Sequence, residues 1–246
     1  MAGVREATAR LARRGEAEAS PPSVRLVEFD PDAERKVVAA ALFPYSERPL
    51  DEQVADPARV LDALFAGRVN RRQRAPRALE HAVYLFEITA NFGAYRDLHR
   101  HRMLTQDRQV LGTSLGYDAP PPLADLGFGD EFARAVEAAA AAHPTLERAL
   151  GRALAQYAVP IAFHVRWYFR ANLREVFHLC ELRTTPQGHP DYRWVAQEMF
   201  RRVREVHPRL ASYGTFVDME DRDELERRAS ERRIDEKLSA LERPAK

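Results

Sequence analysis

The sequence predicts an α+β fold, a mixed or antiparallel sheet packed by several helices, and three observations carry that expectation. From Val159 to Arg170, Ile161, Phe163, Val165, Trp167 and Phe169 alternate with Ala162, His164, Arg166, Tyr168 and Arg170. This is the period of a strand buried on one face, with a polar, basic second face. From His81 to Thr89 the run is apolar on both faces, Val83 and Leu85 on one and Ala82, Tyr84, Phe86 and Ile88 on the other, which suits a central strand. Asp30-Pro31 and Asp56-Pro57 are helix starts, since Asp accepts from free amide groups and Pro fits the first helical position.

In chain order, residues 1–22 are mostly Ala, Arg and Glu and read as a flexible N-terminal appendage. Residues 23–215 form the expected domain, and 216–246 a charged C-terminal helix or tail. Val24 to Phe29 reads as a strand, followed by a helix from Asp30 to about Leu42. The Asp56-Pro57 helix carries Val60, Leu61, Leu64 and Phe65 and is expected to close on Gly67 through a left-handed cap. Arg68–Arg77 holds five arginines without an apolar stripe and reads as a loop. Met103–Gly129 is a long loop carrying Gly112, Gly116 and Pro120-Pro121-Pro122, and such loops inside a domain usually have a task. Helices are expected over Asp130–Ala142 and Thr145–Gln156, separated by His143-Pro144, and over Tyr192–Val206, where Tyr192, Val195, Met199, Val203 and Val206 share a side.

Composition narrows the function classes. Hydrophobic residues make up 45% of 246, enough for a core. Lys plus Arg number 38 against 37 for Asp plus Glu, so net charge gives nucleic-acid binding no support and any basic site is local. The single Cys180 excludes an internal disulfide and a cysteine metal cluster, and fits a reducing cytoplasm. No apolar run approaches a membrane span and no apolar signal core is visible, so the expected location is cytoplasmic.

Two stretches carry the chemistry. Tyr95-Arg96-Asp97-Leu98-His99-Arg100-His101-Arg102 sets five side chains able to carry positive charge directly behind the His81–Thr89 strand, a block suited to an anion. Asn172 to Arg183 reads as a helix at about 100° per residue. Leu173, Val176, Phe177, Leu179 and Cys180 share its apolar arc, while Arg174, His178 and Glu181 line the other side. Asn172 and Arg183 fall within the apolar arc, and an arginine there needs a partner. Arg183 either complements the helix dipole or binds an anion, and the spacing leaves both open. His99, His101 and His178 lack metal-like spacing, so no metal is expected, and no glycine-rich phosphate loop is present.

With these residues in view, the chain resembles the flavin-dependent thymidylate synthases, which methylate dUMP to dTMP using FAD, reduced nicotinamide (NADPH) and methylenetetrahydrofolate. Leu79-Glu80-His81 looks like the family's Phe-Glu-His strand entry, and Arg100-His101-Arg102 like the opening of its signature R-H-R-x-x-S-x-N-E-x-S-x-R-Y. Pro160–Arg183, with Val-Pro, Asn172-Leu173-Arg174, His178 and Leu182-Arg183 in order, is similar to its second conserved block. The resemblance covers roughly residues 24 to 210. It implies that Arg100, His101, Arg102, Asn172, Arg174 and His178 contact FAD. It implies a substrate set of Asp97, Arg100, Thr105, Arg108, Gln156 and Arg183, and a homotetramer with shared active sites. Guanidinium forks suit such phosphate groups, and a flavin carries the chemistry without a cysteine nucleophile.

The signature changes after its opening. Its serine position is Thr105, its Asn-Glu pair Asp107-Arg108, its second serine Val110 and its Arg-Tyr pair Gly112-Thr113. Gln156 stands where the family has a substrate-gripping arginine, and Asp97 where it has a glutamine. Each charge-assisted phosphate contact contributes roughly 1.5 to 3 kcal/mol, so dUMP binding is expected to be weak and turnover low or absent. The other readings are an FAD-binding paralogue with a different substrate, or a catalytically silent oligomer partner. A nucleic-acid module using Arg68–Arg77 and His99–Arg102 lacks the electrostatic footprint.

Overall fold

The computed structural model describes residues 21–220 together with Thr8, Ala12 and Ala19. The expected appendage and the charged tail beyond Glu220 lie largely outside the described residues. In chain order the elements are β1 (Ser23–Phe29), α1 (Ala33–Leu42), α2 (Pro57–Phe65), β2 (Val83–Asn91), α3 (Phe92–Leu98), β3 (Thr105–Arg108), α4 (Pro121–Asp125), α5 (Gly129–Leu150), α6 (Arg152–Ala155), β4 (His164–Asn172), α7 (Leu173–Arg183), α8 (Pro190–Val206) and α9 (Pro208–Ala211). Short 3-10 turns precede β2 and β4. The chain divides into two units, Leu111–Phe163 with the few described residues before Pro22, and Pro22–Val110 with the chain from His164 onward.

The larger unit holds the sheet, ordered β1-β2-β4-β3 and antiparallel throughout. The α+β expectation holds, and the sheet is antiparallel. Tyr84, Phe86, Ile88 and Ala90 of β2 face the same side as their partners Ala171, Phe169, Trp167 and Val165 of β4, and all are buried. The opposite face carries Leu85, Glu87, Tyr168 and Arg170 and stays partly open. Helices α3, α7 and α8 pack in the same unit, with Val176, Phe177, Val195, Met199 and Val203 in its core. Burial of these side chains at roughly 25 cal/mol per Å² is the main stabilising contribution.

Several expected boundaries move. His81 ends a 3-10 turn, and the strand runs from Val83 to Asn91. The alternating strand begins at His164; Ile161, assigned to its buried face, is 59% exposed in the smaller unit. Asp56 caps α2 as expected, its Oδ1 accepting from Ala58 N–H at 3.0 Å. Asp30 does not cap: its carboxylate takes the Asp32 N–H at 3.0 Å and an ion pair from Lys36, and the helix starts only at Ala33. Gly67 has no positive φ, so α2 ends without a left-handed cap. The Met103–Gly129 loop contains an edge strand, β3, and the short helix α4.

In the smaller unit one helix, α5, runs through Pro144. A proline at that point forfeits one backbone hydrogen bond, a loss the helix sustains over 22 residues. The break falls instead at Gly151, whose φ of 81° a side chain would disfavour.

Candidate functional site

The basic block lies at the end of α3. Asn91 caps that helix, its Oδ1 accepting from Ala94 N–H at 2.8 Å while its Nδ2 donates to Asp191. The chain leaves α3 at His99, and Arg100-His101-Arg102 follow in a turn. Gln106 of β3 fixes that turn by donating to the carbonyls of His99 (3.0 Å) and His101 (3.1 Å). The result is an alternation of directions. His101 points inward and is 6% exposed, while Arg100 and Arg102 are exposed and bond to no described residue.

Inside, His101 meets helix α7. Asn172 caps that helix by accepting from Glu175 N–H at 2.9 Å, which places Glu175 in the first turn, buried at 7%. Glu175 Oε1 lies 2.9 Å from His101 Nδ1, and Arg183 Nε lies 3.1 Å from His101 Nε2. An arginine N–H can only donate, so Nε2 accepts, and the imidazole proton sits on Nδ1, donated to the carboxylate. Arg183 also stacks over Tyr192, 5.5 Å from its centroid. Its two terminal nitrogens bond to no described residue. His178 is exposed, its ring edge-on to His101 at 5.4 Å.

The other named residues are placed as follows. Arg174 donates Nε to the Ala75 carbonyl (2.8 Å) and Nη1 to Glu80 (2.7 Å), and Arg77 and Arg174 together hold the Glu80 carboxyl below its ordinary range. Asp97 is half-buried on α3, and Thr105 opens β3 exposed, opposite Arg170. Arg108 closes β3, with Nη1 donating to the Gln109 carbonyl (2.8 Å) and its guanidinium over Phe92. Gln156 belongs to the smaller unit, where its Oε1 accepts from Leu111 N–H at 3.0 Å.

Three participants were not visible in the sequence. Glu175 reads as an ordinary first-turn acid, although Asn172-x-x-Glu175 has the spacing of a capping box whose glutamate could turn inward. Tyr192 reads as a core residue of α8. Glu181, expected on the polar side of α7, is 1% exposed and holds Arg68 in two bonds of 2.7 and 2.6 Å. Cys180 donates to the Ala196 carbonyl, and burial pushes its thiol well up, so it stays protonated and is no nucleophile.

Several known proteins are similar to this chain. A UPF0159 protein of Chlamydia muridarum is 41% identical over 232 residues, covering 90% of this chain and 44% of that protein. The chain thus spans under half the length of that relative. A flavin-dependent thymidylate synthase of Saccharolobus solfataricus is 28% identical over 204 residues, covering 78% of this chain and 76% of that one. The crystal structure of the UMP/dUMP methylase PolB from Streptomyces cacaoi, bound with 5-Br dUMP, superposes with a TM-score of 0.64 at 19% identity, over 81% of this chain and 97% of that chain. Residues 25–209, which hold the His101 cluster and all of the sheet but the first two residues of β1, match the family described as thymidylate synthase complementing protein, and the chain belongs to that family.

Proposed function

We propose that this chain binds FAD and a uracil nucleotide monophosphate and acts in flavin-dependent methylation of the nucleotide, with NADPH and methylenetetrahydrofolate as co-substrates. The observation that carries the reading is the state of the arginines. Among the described residues, Arg100 and Arg102 on either side of buried His101 in sequence have no partner for their charge, and Arg183, bonded to His101 through Nε, has none for its two terminal nitrogens. Unpaired guanidinium groups are what phosphate oxygens take. This donor set, with the exposed imidazole of His178, fits FAD. Arg174 enters the cofactor set through its remaining Nη2, since Glu80 and Ala75 hold its other nitrogens. Asn172 contributes through its amide nitrogen, its oxygen being the helix cap.

A bound flavin supplies the redox chemistry; the chain binds and orients. Arg100 and Arg102 would neutralise phosphate charge, His101 would hold Arg183 in place, and Arg183 would hold the substrate, with Asp97, Thr105 and Arg108 close to the Arg100–Arg102 block in sequence. Cytoplasmic location and assembly as a homotetramer complete the reading, and light scattering tests the latter. Titration of the purified protein with FAD by calorimetry is the direct test. Binding at micromolar affinity or better is expected, with a loss of about tenfold or more in Arg102→Ala, the value of one charge-assisted contact. Absence of heat, together with identical behaviour of Arg102→Ala, would overturn the cofactor assignment.

Turnover of dUMP is expected to be low, because Gln156 and the Arg108–Thr113 stretch replace cations and donors of the family signature. The Arg68–Arg77 loop offers limited relief, as Arg68 is bound by Glu181 and Arg77 leans on Glu80. A different uracil nucleotide is the second reading, favoured by the same substitutions and by the likeness to a protein named for both UMP and dUMP. Tritium release from labelled dUMP and UMP, run beside rescue of a thymidine-requiring strain, separates the two. Robust rescue that is lost on Arg183→Ala would show that the altered signature still builds a full dUMP site.

A further inference from the structure

We infer that Glu175 is a positioning residue, which sets the tautomer of His101 and through it the aim of the Arg183 fork; the consequence for nucleotide binding rests on the reading above. The geometry is a chain of three groups with one consistent proton assignment. Glu175 Oε1 faces His101 Nδ1 at 2.9 Å, and His101 Nε2 faces Arg183 Nε at 3.1 Å. Arg183 cannot accept, so the second contact exists only while Nε2 is unprotonated. The carboxylate is the group that keeps the proton on Nδ1, the tautomer that free imidazole populates less. Without it the ring is free to move its proton to Nε2, where two donors would face each other and Arg183 would swing away.

Glu175 is built for this task. The carboxylate sits 8% exposed on a helix turn whose backbone is fixed by Asn172 Oδ1 on Glu175 N–H. In a capping box a third-position glutamate reaches back to the cap's own N–H. Here it turns to His101 instead. The other charged and titratable groups around His101 are Arg183 on α7 and the exposed His178 ring at 5.4 Å, with Arg100 and Arg102 adjacent in sequence and pointing outward. Among the described residues, Glu175 is the only acid paired with His101. Tyr192 supplies the final constraint by stacking beneath the Arg183 guanidinium, which leaves its two terminal nitrogens as a fork of fixed direction.

The test uses the whole 246-residue chain labelled with 15N-histidine and 15N-arginine. In the wild type, long-range proton–nitrogen spectra are expected to show His101 protonated at Nδ1, with a slowly exchanging Arg183 Nε–H. In Glu175→Ala the His101 signals should move toward the Nε2–H pattern and the Arg183 Nε–H signal should be lost. Affinity for dUMP, measured by calorimetry, should fall about tenfold, in line with one charge-assisted hydrogen bond. Glu175→Gln, whose amide oxygen still accepts, should restore the Nδ1–H tautomer and most of the affinity. A structural role alone would lower thermal stability in Glu175→Ala and leave the tautomer unchanged, and that result overturns the proposal. So does a wild-type His101 protonated at Nε2, which needs no variant to fold. If dUMP fails to bind the wild type, the nucleotide reading fails, and the two spectra still decide the positioning role.

Discussion

Two arginines at helix α7, Arg68 packed against it and Arg183 at its end, are spent in opposite ways. Arg68 comes from the loop after α2, and every nitrogen of its guanidinium has a partner: Nη1 and Nη2 hold Glu181 at 2.7 and 2.6 Å, and Nε holds the Gln73 carbonyl at 3.1 Å. Its flat face covers Phe216, and only 7% of its side chain is exposed. Arg183 at the end of the helix commits Nε to His101 and its face to Tyr192, and makes no other bond among the described residues. An arginine bonded through all three nitrogens joins segments of a fold, whereas one held at Nε, with a fork that bonds no described residue, is the one we propose for an anion. The comparison turns a count of bonded nitrogens into a functional distinction, and each side of it makes a different prediction.

Removing one partner of the saturated pair is expected to have the largest effect. Arg68→Ala strands the Glu181 carboxylate, 1% exposed, and should cost about 3 to 5 kcal/mol in urea denaturation. The double variant Arg68→Met with Glu181→Leu should recover much of that loss, because the uncompensated charge is gone. A loss below about 1 kcal/mol in Arg68→Ala would mean that the pair is far better hydrated than its burial indicates. Arg183→Ala should reverse the balance. Stability should change little, while affinity for dUMP falls by roughly 1.5 to 3 kcal/mol, tenfold or more. Equal losses of stability in the two variants would dissolve the distinction between closed and open arginines.

Between these lies the turn that feeds the open site. Asn172→Ala removes the cap that fixes Glu175 and should cost about 1 kcal/mol of stability, as measured by thermal melting. A second consequence separates it from Asp56→Ala, which removes an equivalent cap from α2. Both should destabilise alike, but Asn172→Ala alone should also disturb the Arg183 Nε–H signal.

What the sequence revealed follows from how local each signal is. The Asp56-Pro57 start, the buried alternation from Val165 to Phe169 and the apolar side of α8 are each written within a short local stretch, and they appear where expected. The course of α5 through Pro144 was not readable, because one lost hydrogen bond is outweighed by a long helix around it. Strand β3 has four polar residues and no apolar alternation; it exists because β4 offers it an edge. The Arg68–Glu181 pair joins residues 113 apart, and no local pattern announces it. The site divides in the same way. Arg100-His101-Arg102 stood out as a block, and the Asn172-to-Arg183 helix as a period, yet the inward turn of His101 onto Glu175 is a tertiary fact.

Two buried histidines extend the contrast between closed and open groups to pH. His101 uses both ring nitrogens, one on a carboxylate and one on an arginine. His207 is 4% exposed, with Nδ1 at 2.9 Å from the Tyr84 hydroxyl, and burial lowers its pKa below 6.5 although Glu34 and Asp30 pull the other way. A histidine with a depressed folded pKa binds its proton more readily in the unfolded chain. Between the folded and unfolded values the unfolded state therefore carries more protons, and stability rises with pH there. The expected result is a melting temperature that climbs as pH rises toward the unfolded value near 6.5 and levels above it, the underlying stability changing by at most about 1.4 kcal/mol per pH unit, with the climb flattened in His207→Gln. Asp30 works in a separate window: the Lys36 ion pair lowers its pKa, so its contribution is full above the unfolded value near 3.8 and is lost only as pH falls further. This pH effect should be the smallest of the four, since the charges of Glu34 and Asp30 offset part of the cost of burial. If the slope survives unchanged in His207→Gln, burial of this histidine is not what sets the acid stability of the fold.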